Sequence, residues 1–152
     1  MAQHECPHCG VVLTKHRSSP DHRRFFALVA AAFAQWPENN EYQPENEEKL
    51  RAWLICKAGA RWRISTPIFL PDDATEHMRV LFRLGIEAAI RAAKGEAFVT
   101  PYKDSVAVHT PKSIAFHEMD QREFGALRAA VEDVIKAETG LDPEQLLRER
   151  AA

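Results

Sequence analysis

Between Pro20 and Pro37 the chain places Phe25, Leu28, Val29, Ala32, Phe33 and Trp36 at three- and four-residue spacing. That period gathers all six on one side of an α-helix and scatters them over both faces of a strand. The stretch is therefore constrained to a helix with one buried face. Ser18 or Ser19 can cap it, Pro20 suits its first turn, and Pro37 cannot continue it. Two later stretches follow the same logic. LRAWLICKAG (50–59) opens behind Pro44, sets Leu50, Trp53, Leu54 and Lys57 on one side and closes on Gly59. Asp120 can cap a helix that buries Phe124, Leu127, Val131, Val134 and Ile135 and ends at Gly140.

A further helix is expected after Asp72 or Asp73, with Met78, Leu81, Phe82, Gly85 and Ala89 as its buried stripe and Gly95 at its end. Arg79, Arg83, Glu87, Arg91 and Lys94 line its other side, and Glu87 is at pairing distance from Arg83 and Arg91, which reads as a solvated, salt-bridged face. LDPEQLLRER (141–150) supports one or two more helical turns with a fraying end. RWRISTPIFL (61–70) reads as extended, and Pro67 keeps it from the centre of a sheet. Val106 and Val108 alternate with polar neighbours in a hairpin over 96–110 that turns near Lys103–Asp104, and 111–116 is short and extended. Residues 38–48 form an acidic loop.

The expected architecture is α+β, a helix-rich single domain of about four helices plus a short hairpin over residues 19–152. A small N-terminal zinc-knuckle appendage occupies 1–18. A chain of 152 residues can bury one sizeable core without disulfides. It has no apolar run long enough to span a bilayer and no apolar signal-peptide core. Three cysteines, two of them close together, suit metal binding in a reducing, cytoplasmic compartment.

The appendage carries Cys6-Pro-His-Cys9-Gly. Two thiolates at i and i+3 in a tight turn can face one zinc ion, and a closed structural site needs two more ligands. His16 and His22 supply a histidine pair at finger-like spacing. His4 and His8 are nearby substitutes and Cys56 a remote one. A redox role fits less well, because a thioredoxin-like motif lies between a strand and a helix. A catalytic zinc, which would call for a partner carboxylate as general base, is not expected here.

Basic residues follow the knuckle directly. Lys15 and Arg17 precede the first helix, and Arg23 and Arg24 occupy its first turn. Cations at a helix N-terminus oppose the local dipole, but together with the free N–H groups they suit a phosphate. Lys57 and Lys112 are possible additions, and Trp62 or Tyr102 could stack on bases. A net charge of −2 means that any basic surface must be local. No glycine-rich phosphate loop, nucleophile elbow or carboxylate dyad stands out, so an enzyme is not expected. His109 and His117 read as surface histidines.

RSSPDHRRFFAL with Trp36-Pro37, LRAWLICKAG (50–59) and PKSIAFHEMDQREF (111–124) together resemble a family of bacteriophage and prophage proteins without assigned function. More distantly, RSSPDHRRFFA resembles the helix that opens the helical part of the lambda Orf (NinB) recombination mediators. Here Asp21-His22 stands where those carry Gln-Asn, and the cysteine knuckle stands where they carry strands. The resemblance implies a phage-derived nucleic-acid-binding accessory protein in a bacterial host cell, binding single-stranded DNA in recombination or replication. The expected DNA contacts are Lys15, Arg17, Arg23, Arg24, Lys57 and Lys112, with structural zinc on Cys6, Cys9, His16 and His22. The alternative is a phage interaction module that binds and inhibits a host defence protein, with the acidic 38–48 segment meeting a basic partner. A homodimer is compatible with either.

Overall fold

The computed structural model describes residues 4–5, 12–13, 19–93, 96–102, 104–115 and 118–151. Two short strands, β1 (His4–Glu5) and β2 (Val12–Leu13), pair antiparallel, His4 with Leu13 and Glu5 with Val12. The interval between them in sequence includes both knuckle cysteines. Cys6, Cys9, Lys15, His16 and Arg17 lie outside the described residues.

Helix α1 (Ser19–Ala34) opens on Ser19 and stops before Pro37, and Ser18, the other expected cap, lies outside the described residues. Its inward face is Phe25, Leu28, Val29 and Ala32. Helix α2 (Glu47–Ala58) starts later than Pro44 suggests. Asn46 is its cap, with the side-chain oxygen accepting from the Lys49 amide at 2.9 Å. It buries Leu50, Leu54, Ile55 and Cys56. It stops at Gly59, whose φ of +152° few side chains could adopt and against which Trp62 packs at 3.6 Å from where a Cβ would sit. A 3-10 turn (Ala60–Trp62) leads into the sheet.

The sheet has three antiparallel strands in the order β3 (Arg63–Phe69), β5 (Ser105–Pro111), β4 (Phe98–Pro101). The expected hairpin is β4–β5, with Phe98 opposite His109 and Pro101 opposite Val106. The segment around Pro67 becomes β3, an edge strand, where a residue without an N–H is tolerated. His109 is buried, not a surface histidine. Its Nδ1 lies 2.8 Å from the Ser65 hydroxyl and its Nε2 3.1 Å from that of Thr100, so each outer strand satisfies one ring nitrogen.

Helix α3 (Glu76–Ala92) is capped by Thr75 rather than Asp72 or Asp73. Its apolar stripe is not buried. Met78, Leu81 and Phe82 are exposed, and no residue of the helix is fully covered. Glu87 pairs with Arg83 at 3.8 Å, while Arg91 reaches Glu45 at 3.9 Å. Helix α4 (Gln121–Thr139) follows expectation. Asp120 caps it at 2.7 Å, Phe124, Leu127, Val131 and Ile135 are buried, and Gly140 ends it in the left-handed conformation at φ +72°.

The tail is a full helix, α5 (Pro143–Ala151), and raises the described helices to five. Leu146 enters the core. An Arg24–Glu144 ion pair, a Gln35–Glu149 hydrogen bond at 3.1 Å and an Arg150 guanidinium donating to the Ala27 carbonyl at 2.9 Å fasten α5 along α1. The main core is thus helical, with α1, α2, α4 and α5 packed around Phe25, Leu50, Leu54, Phe124 and Leu127. No helix among the described residues is long and apolar enough to cross a membrane.

Candidate nucleic-acid interface

A groove of about 380 Å³ runs between α1, α2 and the segment that leaves β5. His22 and Phe26 line it from α1, Arg51 and Ile55 from α2, and Pro111 to Ala115 from the third wall. These are the three stretches that stand out in the sequence, brought together from ninety residues apart by the packing of α1 and α2. Glu96 closes one end.

The double phenylalanine explains how one helix serves core and groove. Successive helical residues point about 100° apart, so Phe25 turns inward and is fully buried while Phe26 turns outward and is 38% exposed. His22, one turn earlier, lies flat against Phe26, with ring centroids 4.8 Å apart and planes 9° from parallel. The Arg51 guanidinium stands 5.3 Å from the Phe26 ring centre, a cation–π distance. Arg51 also reaches Glu48 at 3.5 Å and Glu96 at 3.7 Å. Burial raises the Glu96 carboxyl above its usual range, a hydrogen bond with Glu48 adds to the rise, and Arg51 opposes it.

Among the expected phosphate contacts, Arg23 is exposed on the second turn of α1, not the first, because the helix already starts at Ser19, and Lys112 is exposed on the groove wall. Lys112 is held by its backbone, whose amide donates to the Trp62 carbonyl at 2.9 Å. Arg24 is engaged with Glu144. Lys57 is elsewhere. It stands over Trp53 at 4.7 Å and pairs with Glu138 at 3.0 Å, on a different cleft. Trp62 is 3% exposed, so it cannot present a ring to a base; Tyr102 is exposed. Phe26, Arg51 and Glu96 belong to the groove without standing out in the sequence. For Phe26 the signal was there, since two adjacent aromatics on a helix cannot both face one core.

Of the proposed zinc ligands only His22 is described, and its ring packs on Phe26 and, at 5.6 Å, on Phe124. Cys56, the remote substitute, is buried in α2, and burial pushes its thiol up to about 11 against the partial relief of Arg63. Among the described residues no group of three or more His, Cys, Asp or Glu side chains could hold a metal ion.

The second concavity is larger, about 1350 Å³. Its floor is aromatic, with Tyr42 stacked on Trp53 at 5.0 Å and Phe98 edge-on to Tyr42 at 5.5 Å. Glu41, Glu45, Glu48, Glu87, Glu96 and Glu138 outnumber Lys49, Lys57 and Arg91 around it. The acidic loop is well held. The Trp36 indole donates to the Tyr42 carbonyl at 2.8 Å, and the Gln43 amide donates to the carbonyls of Pro37, Glu38 and Asn40 at about 3 Å.

Comparison with protein families, with curated proteins and with solved structures finds no match for this chain.

Proposed function

We infer that the protein is a nucleic-acid-binding accessory factor that takes single strands across the groove between α1 and α2. The convergence of the three sequence blocks on one groove carries this reading. A half-exposed aromatic with cations around it is the arrangement that sequence-tolerant single-strand binding uses, since every base has a π-face and every nucleotide a phosphate. In this reading Phe26 offers an aromatic surface, Arg51 and Lys112 meet phosphates inside the groove, and Arg23 extends the track along α1. Arg24 contributes less, because a phosphate would compete with Glu144. Lys57 is withdrawn from the interface. The phage-type resemblance of the same three stretches supports a role in recombination or replication in a bacterial host. Lys15, Arg17 and a zinc knuckle on Cys6 and Cys9 would extend the interface ahead of α1. Photocrosslinking of a single-stranded oligonucleotide followed by peptide mass spectrometry tests the site. Adducts on 19–36 and 111–115 support it, and adducts confined to other segments reject it.

A second reading rests on the acidic cleft. Its carboxylates repel phosphate, and its aromatic floor suits a lysine- or arginine-bearing segment of a protein partner. Titration of a cationic peptide against tryptophan fluorescence, with Trp53→Phe as control, tests it. A change lost in the variant supports the reading, and an unchanged spectrum rejects it.

A further inference from the structure

Helix α3 is turned the wrong way round for a monomer. Its half-covered side carries Arg79, Arg83, Ile86, Glu87 and Ile90, whereas Met78, Leu81, Phe82, Leu84, Gly85, Ala88, Ala89 and Ala92 face outward. Leu81 is 55% exposed, Met78 49% and Leu84 48%. Exposed apolar faces of this kind mark interaction surfaces. Gly85 sits in the middle of the stripe. A glycine in a helix interior is destabilising relative to alanine. Nothing among the described residues accounts for it, because a Cβ at Gly85 would meet none of their atoms within 4 Å.

We propose that α3 pairs antiparallel with α3 of a second copy of this chain, crossing at Gly85. In that arrangement the large residues of one stripe oppose the small ones of the other. Its bulky residues lie in the N-terminal half and its small ones in the C-terminal half. About a two-fold axis at Gly85, Met78 meets Ala92, Leu81 meets Ala89 and Phe82 meets Ala88, so large side chains fill the space that small ones leave. The glycine then has its reason, the close approach of two backbones. The antiparallel sense also aligns the two helix dipoles favourably. From the exposures of its side chains the apolar face offers on the order of 500 Å² per chain, so a pair buries about 1,000 Å², the lower bound for a biological interface. The isologous contact closes on itself and leaves no face for further growth.

Sedimentation equilibrium of the full chain tests this. The wild type should sediment at twice its 17.2 kDa chain mass. Gly85→Glu should be monomeric at the same concentration with an unchanged far-ultraviolet dichroism spectrum, since the position is open in the single chain. Leu81→Lys should behave alike and covers the case in which Gly85→Glu fails to fold. A monomeric wild type overturns the proposal, as does a dimer that survives both substitutions. A monomer that co-sediments with vesicles of anionic phospholipid also overturns it, because the stripe would then belong to a lipid surface.

Discussion

The imidazole of His22 lies parallel to the phenyl ring of Phe26 at 4.8 Å, one helical turn apart, while the neighbouring Phe25 is fully buried. The outward ring is therefore braced without being consumed by the core. Phe26→Ala should weaken single-strand binding roughly tenfold, the order of magnitude of one base–aromatic stack. Thermal unfolding should change far less than for Phe25→Ala, where an aromatic is lost from the core at about 3–5 kcal/mol. Anisotropy and a melting curve on the two variants separate the roles.

Among the described residues Glu96 is the one carboxylate that lines both concavities. At 3.7 Å from Arg51, it works against a phosphate there. Its carboxyl is raised above the ordinary 4.5, so on acidification it takes up its proton early and the groove becomes more positive. Oligonucleotide affinity should rise as pH falls through that range. Glu96→Gln should reach the tighter affinity already at neutral pH and flatten the profile. Equal affinities for the two proteins at neutral pH would remove Glu96 from the interface.

His109 gives stability a second pH dependence. Burial lowers its value below 6.5, and Arg63 adds to the effect. The unfolded chain then binds the proton first, so stability decreases as pH falls below about 6.5 and continues to decrease until the folded-state value is passed. Denaturant midpoints at a series of pH values should show this slope in the wild type. In His109→Gln the slope over the same interval should be reduced, whatever the absolute stability of the variant.

The knuckle makes its own prediction. Purified protein should carry one zinc per chain by elemental analysis, and Cys6→Ser should lose it. Folding of the helical core should persist in that variant, because Phe25, Leu50, Leu54, Phe124, Leu127 and Leu146 pack against one another from α1, α2, α4 and α5. A wild type without stoichiometric zinc would end the knuckle reading and leave the α1–α2 groove untouched.

Helices whose apolar face meets the core were legible in the sequence, since period and core coincide there. Phe25, Leu28 and Val29 in α1 and Phe124, Leu127 and Val131 in α4 are all buried. The same rule misplaced α3, because periodicity reports that a face is apolar and not what covers it. Pro67 correctly marked an edge, but the pairing of β3 with β5 depends on residues forty positions away and no local pattern encodes it. His109 was read as exposed for a related reason. Its two hydroxyl partners, Ser65 and Thr100, come from different strands. Helix α5 was underestimated because its docking rests on Leu146 and a few polar ties to α1 rather than on a long stripe. In the site, the basic residues were visible but their partners were not. Glu144 and Glu138 lie far along the chain from Arg24 and Lys57, and only the fold shows that those two cations are already paired.

The most direct measurement is fluorescence anisotropy of a labelled single-stranded oligonucleotide titrated with wild-type protein and with Lys112→Glu at several salt concentrations. The account predicts binding that weakens with salt, a duplex that binds less well, and a Lys112→Glu variant with lower affinity and a salt slope smaller by about one. Wild-type protein that leaves the oligonucleotide unbound at low salt, or a variant indistinguishable from it in both affinity and slope, would contradict the groove as a nucleic-acid site.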